Sequence, residues 1–267
     1  MTSLQAVPHT ALLTPDLPLT LTEAGAGRST LILHGGGGPL TVTGLAAQLS
    51  TAARTLLPTH PGWNGTPRPE HLARVRDLAR VYLQLLEDRQ LRDVLVVGSS
   101  LGGWIGAEMA LADSGRRITG LVLINAVGVK VEGEPIQDVF ALSPRGLAEL
   151  SFHAPDRFFV DPANLTQEQV ARQKGNLDAM RRLAGEPYMH DPTLLGRLCE
   201  VSVPTLVLWG ESDRIVTPAY GAAYAAAFRQ GQFEVIPRAG HLPQLERPEA
   251  TLAQIDHFMA KQARQRE

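Results

Sequence analysis

Val94-Leu-Val-Val-Gly-Ser-Ser-Leu-Gly-Gly103 is the stretch whose reading decides the fold. Residues 94–97 are an apolar run with no alternation, the pattern of a strand covered on both faces. The run passes into Gly98-x-Ser100-x-Gly102 and then into a helical stretch, residues 104–112. Strand, sharp turn and helix in that order hold the middle residue of the turn in a strained conformation. Glycines two before and two after clear space for it. Ser100 is therefore expected at the strand's end, its hydroxyl exposed and the next N–H aimed at the same spot. Ser99 is out of register with the glycines and belongs to the frame.

Working outward, strands and helices alternate. Residues 17–22 alternate in polarity and read as an edge strand, where Pro18 is tolerable. Strands follow at 29–34 and 54–58, and a 3.6-residue apolar stripe marks a helix over 69–88. Residues 118–125 give the strand after the Ser100 helix. Strands at 204–210 and 233–236 and a helix over 248–263 complete the pattern. Such alternation predicts an α/β protein with a mostly parallel, doubly wound sheet. Between 126 and 203 it stops, leaving short helical segments punctuated by prolines. A crossover needs only about a dozen residues, so 127–203 reads as an inserted helical cap on a core of 1–126 and 204–267. Phe152, Phe158 and Phe159 either line an apolar pocket there or form the cap's own core. The arginines of the cap (Arg157, Arg172, Arg181, Arg197) and its histidines, His153 and His190, read as surface or capping groups.

Composition narrows the function classes. With 267 residues, 44% hydrophobic content and a net charge of -2, nothing suggests a nucleic-acid or anionic-membrane partner. Cys199 is the only cysteine, which excludes an intrachain disulfide and C-x-x-C chemistry; a small buried residue is the expectation for it. Residues 1–16 lack a basic start and a long apolar run, so no secretory signal is expected, and no stretch approaches the roughly 20 apolar residues of a membrane span. A cytoplasmic location is the expectation.

A serine hydroxyl is a weak nucleophile at neutral pH and needs a base, which needs an orienting partner. Both must lie on loops at the carboxyl ends of strands, where open α/β sheets bind ligands. His241 meets this requirement in the turn Gly240-His-Leu-Pro243 after the last strand. Asp213 follows the preceding strand by three residues, and Glu211 is its rival. Asn125, at another strand end, carries no charge and cannot serve as the acid. His34-Gly-Gly-Gly-Gly-Pro39 offers bare backbone N–H groups after a buried strand. It fails as a phosphate loop, because no Lys-Ser/Thr follows and Leu40 stands where a third spaced glycine belongs. Half of an oxyanion hole, partner to Ser100, is the favoured reading; His34 itself reads as a loop anchor.

Together with the Gly62-x-x-Gly65 loop, these motifs resemble those of the α/β-hydrolase fold, and the resemblance covers the chain apart from the cap. It implies a serine hydrolase with Ser100, Asp213 and His241 as catalytic triad and the N–H groups of Gly36 and Leu101 as oxyanion hole. No cofactor or metal is implied. The expected substrate is a small or medium carboxylic ester or related acyl compound. Ser100 at the elbow counts against haloalkane and epoxide hydrolysis, which the fold performs with Asp there. A hydroxynitrile-type lyase and a non-catalytic ligand receptor share the fold. The His-Gly-Gly-Gly-Gly-Pro loop is similar to that of the meta-cleavage-product C–C hydrolases, which usually carry Trp after the catalytic His; here Leu242 stands there.

Overall fold

The apolar runs become strands of one eight-stranded sheet in a computed structural model that describes residues 7–14 and 17–264. The strands are β1 (Val7–Thr14), β2 (Leu17–Ala24), β3 (Ser29–Leu33), β4 (Arg54–Pro58), β5 (Val94–Ser99), β6 (Ile118–Ile124), β7 (Thr205–Gly210) and β8 (Gly231–Ile236). Their order is β1-β2-β4-β3-β5-β6-β7-β8. From β4 to β8 neighbours run parallel, whereas β1 and β2 join antiparallel. The helices are α1 (Thr43–Leu49), α2 (Val75–Asp88), α3 (Leu101–Ala112), α4 (Pro144–Ser151), α5 (Pro155–Phe158), α6 (Gln167–Ala184), α7 (Leu194–Arg197), α8 (Pro218–Ala226), α9 (Pro243–Glu246) and α10 (Pro248–Arg264).

Side chains on successive strand residues point to opposite faces, so the apolar runs feed two cores. Val94 and Val96 join Leu31, Leu33, Leu121 and Leu123 on the face covered by α2, α3 and α8. Leu95 and Val97 join Ile32, Val122 and Ile124 on the face covered by α1 and α10. All six residues of β5 are buried, as a central parallel strand requires.

Four expectations need correction. Residues 17–22 are not an edge: β1 pairs outside β2, with Leu12 opposite Pro18. The expectation of no signal over residues 1–16 lies partly outside the described residues, which here comprise only the β1 strand. The helix expected over 69–88 starts at Val75, because the Asp77 carboxylate accepts the N–H of Arg74 (2.9 Å) and caps it there. Between β6 and β7 the expected short segments (α4, α5 and α7) are joined by one longer helix, the 18-residue α6, which Thr166 and Gln169 cap reciprocally. Cys199 is exposed, its thiol 3.5 Å from the Gly196 carbonyl. Helices α1 and α8 went unread, being rich in Ala and short.

Three backbones meet where β5 turns into α3. A Cβ on Gly102 would stand 2.1 Å from the Leu33 carbonyl oxygen at the end of β3, and one on Gly98 would stand 2.3 Å from the Gly102 oxygen. No side chain fits at either place. Gly102→Ala is therefore expected to lower the unfolding free energy by about 3 kcal/mol through overpacking, measured by urea denaturation. An unchanged midpoint would mean that β3 yields to a methyl group at no cost.

Candidate active site

Ser100 leaves β5 at φ 54°, ψ -117°, a conformation that side chains rarely adopt. Its N–H still bonds to the Ile124 carbonyl of β6 (2.9 Å), and its own carbonyl opens α3 by accepting from Gly103 (2.9 Å). The strain at one residue is thus held by sheet and helix together. The Ser100 hydroxyl lies 2.9 Å from His241 Nε2, and His241 Nδ1 lies 2.8 Å from Asp213 Oδ2. All three residues are more than nine-tenths buried.

Each partner is fixed by its own loop. Asp213 follows β7, and its Oδ1 accepts the N–H groups of Ile215 (2.8 Å) and Val216 (3.2 Å). His241 follows β8; its N–H donates to the Ser151 carbonyl (2.6 Å), and the neighbouring Gly240 N–H donates to Glu246 (2.6 Å). Glu246 also accepts from the N–H groups of His153 and Ala154, tying the His241 turn to the chain after α4. Glu211, the rival acid, accepts the Arg238 N–H at 3.0 Å and serves its own loop.

The glycine loop runs against the serine: a Cβ on Gly35 would lie 3.1 Å from Ser100 Cβ. Among the described residues, no acceptor takes the N–H of Gly36 or of Leu101. The loop is braced from below by groups that sequence reading left unassigned. The His60 N–H donates to His34 Nε2 (3.0 Å), so His34 carries its proton on Nδ1, which donates to the Gly35 carbonyl (2.7 Å). His60 Nε2 donates to the His34 carbonyl (2.8 Å), leaving Nδ1 to accept from the Tyr82 hydroxyl. Trp63 Nε1 donates to the Gly36 carbonyl at 2.8 Å. His34 is thus the expected anchor, and His60, Trp63 and Tyr82 complete it.

Helix α6 covers the same loop from above. Asn176 accepts the Asn64 N–H (2.7 Å) and reaches the Gly37 carbonyl (3.4 Å). One turn later Met180 packs on Gly36 so closely that a Cβ there would meet its sulfur at 2.2 Å. The spacing of Ala179, Met180, Leu183 and Ala184 is the signal that could have marked Met180 as inward; nothing in the sequence marks Asn176. Phe152 stacks on Phe158 at 5.0 Å, and Phe159 lies under Arg145. Three of the four arginines singled out between residues 127 and 203 are engaged with neighbours: Arg157 lies over Phe158, Arg181 over Phe140, and Arg197 pairs with Glu108 (3.2 Å). His153 bonds Ser212 and His190 bonds the Tyr188 carbonyl.

A strained serine turn after β5 of a mostly parallel sheet, with Asp213 after β7 and His241 after β8, points to a class, and sequence comparison agrees with it. Residues 30–255 match the model of the Alpha/beta hydrolase family, and the chain belongs to that family. It is 27% identical over 260 residues to a 2-hydroxy-6-oxononadienedioate/2-hydroxy-6-oxononatrienedioate hydrolase of Cupriavidus pinatubonensis, covering 89% of each chain. The fold is similar to that of a bacterial membrane phospholipase A (TM-score 0.79, 20% identity, 97% of this chain and 87% of that one). It is also similar to a serine hydrolase involved in carbazole degradation (TM-score 0.78, 20% identity, 96% and 99%). No helix among the described residues is long and apolar enough to cross a membrane.

Burial pushes His34 well below the ordinary histidine range, helped by His60, and pushes His60 down to about 4. Native His60 stays neutral where an unfolded histidine would take up a proton. The unfolded state therefore binds more protons between pH 6.5 and 4, and stability falls as pH falls through that window. His60 alone should remove about 3 kcal/mol there. Chemical denaturation of wild type and His60→Gln across this range measures it as the difference in slope; parallel curves would show His60 to be protonated in the fold.

Proposed function

We propose that the protein is a serine hydrolase of small or medium carboxylic esters, with Ser100 as nucleophile, His241 as base and Asp213 as orienting acid. The observation that carries this reading is the unbroken, buried chain from Ser100 Oγ through His241 to Asp213, at 2.9 and 2.8 Å. Ser100 Oγ attacks the ester carbonyl while His241 Nε2 takes its proton. The N–H groups of Gly36 and Leu101 receive the charge forming on the carbonyl oxygen, each contributing roughly 3 kcal/mol to the transition state. The tetrahedral intermediate collapses, His241 returns the proton to the departing alkoxide, and an acyl-enzyme remains. Water, deprotonated by His241, then releases the acid and restores Ser100. Residues 127–203 act as a cap over this centre, with α6 as the part nearest the oxyanion loop. The chemistry calls for no cofactor, and the partner is the small-molecule substrate alone.

A second reading, hydrolysis of a C–C bond in a conjugated dienoate, is favoured by the likeness to the nonadienedioate hydrolase and by the four-glycine loop. Such a substrate is planar and anionic, which calls for a flat wall and a cation. Leu242, beside His241, offers volume but no flat face, and three of the cap arginines are committed to aromatic rings or to Glu108. These features favour the ester.

A fluorophosphonate probe should label the protein once and leave Ser100→Ala unlabelled; persistent labelling would remove Ser100 from the mechanism. Asp213→Asn should cost on the order of 10⁴ in kcat if the acid fixes the imidazole tautomer, and a loss under about tenfold would redirect attention to Glu211. Short-chain p-nitrophenyl esters should be turned over with kcat/KM at least ~10-fold above that for a 2-hydroxy-6-oxo-dienoate. Side-by-side steady-state kinetics decide between the two readings.

A further inference from the structure

We propose that Asn125 is a positioning residue: its carboxamide holds the Asp213 carboxylate in the orientation that His241 needs. The inference rests on the triad reading above and adds to it a residue that contacts neither substrate nor serine.

Asn125 is the first residue beyond β6, and its N–H still bonds to the Leu208 carbonyl of β7 at 2.9 Å. Its backbone then turns left-handed, φ 45°, and its side chain is fully buried. Such a conformation is unfavourable for most residues and least so for Gly, Asn and Asp. The Gly210 N–H donates to Asn125 Oδ1 at 3.2 Å. A backbone N–H only donates, so the amide oxygen must face it and the amide nitrogen must face the other way. That nitrogen donates to Asp213 Oδ2 at 2.6 Å, the same oxygen that faces His241 Nδ1, and lies 3.5 Å from the Gly240 carbonyl. Asn125 thereby links the turn after β7, which carries Asp213, to the turn after β8, which carries His241.

Asp213 has every acceptor position used: two N–H groups on Oδ1, and Asn125 and His241 on Oδ2. The bonds on Oδ1 come from its own loop and hold only one oxygen. With the amide gone, Oδ2 keeps the imidazole as its sole partner, and the carboxylate plane turns about the Oδ1 anchor. Only an uncharged donor suits this place. Leucine of similar size would orphan both the Gly210 N–H and a charged oxygen, and a second ionised carboxylate would repel the first.

Two substitutions separate positioning from structure. Asn125→Gly accepts φ 45° without strain and deletes the amide alone. Its kcat with p-nitrophenyl acetate and its fluorophosphonate inactivation rate should each fall at least ~10-fold while KM stays within about threefold, the signature of a loss confined to the chemical step. Asn125→Asp places a carboxyl against Asp213, and two such groups in contact share one proton. While the proton is held, the new side chain still donates, so kcat should lie above that of Asn125→Gly. It should then decline as rising pH strips the proton, giving an alkaline limb that wild type lacks. Melting temperatures of both variants identify folded protein.

If Asn125→Gly is folded and its kcat is within about twofold of wild type, Asn125 is a structural prop and the proposal is overturned. If Asn125→Gly does not fold, the alkaline limb of Asn125→Asp decides: its presence supports positioning, its absence overturns it. Failure of the triad reading looks different, because wild type and Ser100→Ala would then react alike with the probe; the assignment of Asn125 would fall with it.

Discussion

The glycine loop beside Ser100 rests on two buried imidazoles that must stay uncharged. His34 Nε2 is an acceptor because the His60 N–H points at it, and His60 Nδ1 is an acceptor because Tyr82 donates to it. A proton on His34 Nε2 would face an N–H, and nothing in the buried cluster would balance its charge. The two rings lie 3.7 Å apart, so a charge on one would also penalise a charge on the other. Neutrality is thus a structural requirement, and the low affinity of both rings for protons follows from it. What the pair secures is position: His34 begins the glycine run, and His60 fixes β3's end to the loop after β4. Through Tyr82, the amphipathic face of α2 is joined to the same assembly. A helix placed by its apolar stripe therefore helps set the height of the glycine loop beside Ser100.

Much of this was legible in the sequence, for definite physical reasons. Buried parallel strands carry apolar runs that cannot hide, and the turn after β5 excludes side chains at fixed spacing. Ser100, Asp213 and His241 could be named as a candidate set because serine chemistry calls for those types at strand ends, and the structure brings the three within hydrogen-bond distance. The supports were less legible because no local pattern demands them. Asn176 and Met180 lie four residues apart on α6, whose inward stripe (Ala179, Met180, Leu183, Ala184) is confined to its second half, behind a polar first half that hides it in the helix as a whole. His60 lay in plain view in a Pro- and Gly-rich loop, yet only its contact with a residue 26 positions earlier gives it a role. Strand β1 escaped because its sequence, Val-Pro-His-Thr-Ala-Leu-Leu-Thr, does not alternate in polarity; once it is placed, Pro18 sits inside the sheet rather than at its border. Pro18 removes one donor, which the antiparallel ladder tolerates at a position where the register is already irregular, between Leu12 and Thr14.

Backbone strain has two meanings in this fold. Gln90, Asp93 and Arg116 adopt positive φ in tight turns that lead into β5 and β6, where the chain must reverse in few residues. Ser100 and Asn125 adopt it immediately after parallel strands, fully inside the protein, with sheet hydrogen bonds retained on the residue itself. In the first group the turn is the purpose. In the second, the strain re-aims a side chain that would otherwise continue along the sheet and disappear into a core. The hydroxyl of Ser100 and the amide of Asn125 are delivered from neighbouring strands toward His241 and Asp213, the two residues that the hydrogen bonds join. A strain of this kind persists only where surrounding contacts over-determine the backbone, and the Gly98–Gly102 close packing supplies that at Ser100.

The contact between Met180 and Gly36 bears on what such a site can accept. For the proposed hydrolase, a substrate carbonyl must approach the Gly36 N–H, and the side chain packed against Gly36 from α6 is a thioether on a flexible three-bond stem. Methionine reshapes at little cost and presents no fixed plane. Four residues earlier, Asn176 is bonded to Asn64 and to the glycine loop, so the helix is anchored, while Met180 itself is buried in the core beside Gly36. An anchored helix with a deformable contact suits acyl groups that differ in size more than in shape. A rigid conjugated substrate gains most from rigid walls, because its binding depends on a plane that the protein must already hold. Leu242, next to His241 in the chain, and Met180, packed on Gly36, are both poor in that respect. For the proposed hydrolase, the deformable wall at Met180 joins the hydrogen-bonded Ser100, His241 and Asp213 as a feature that favours the ester reading.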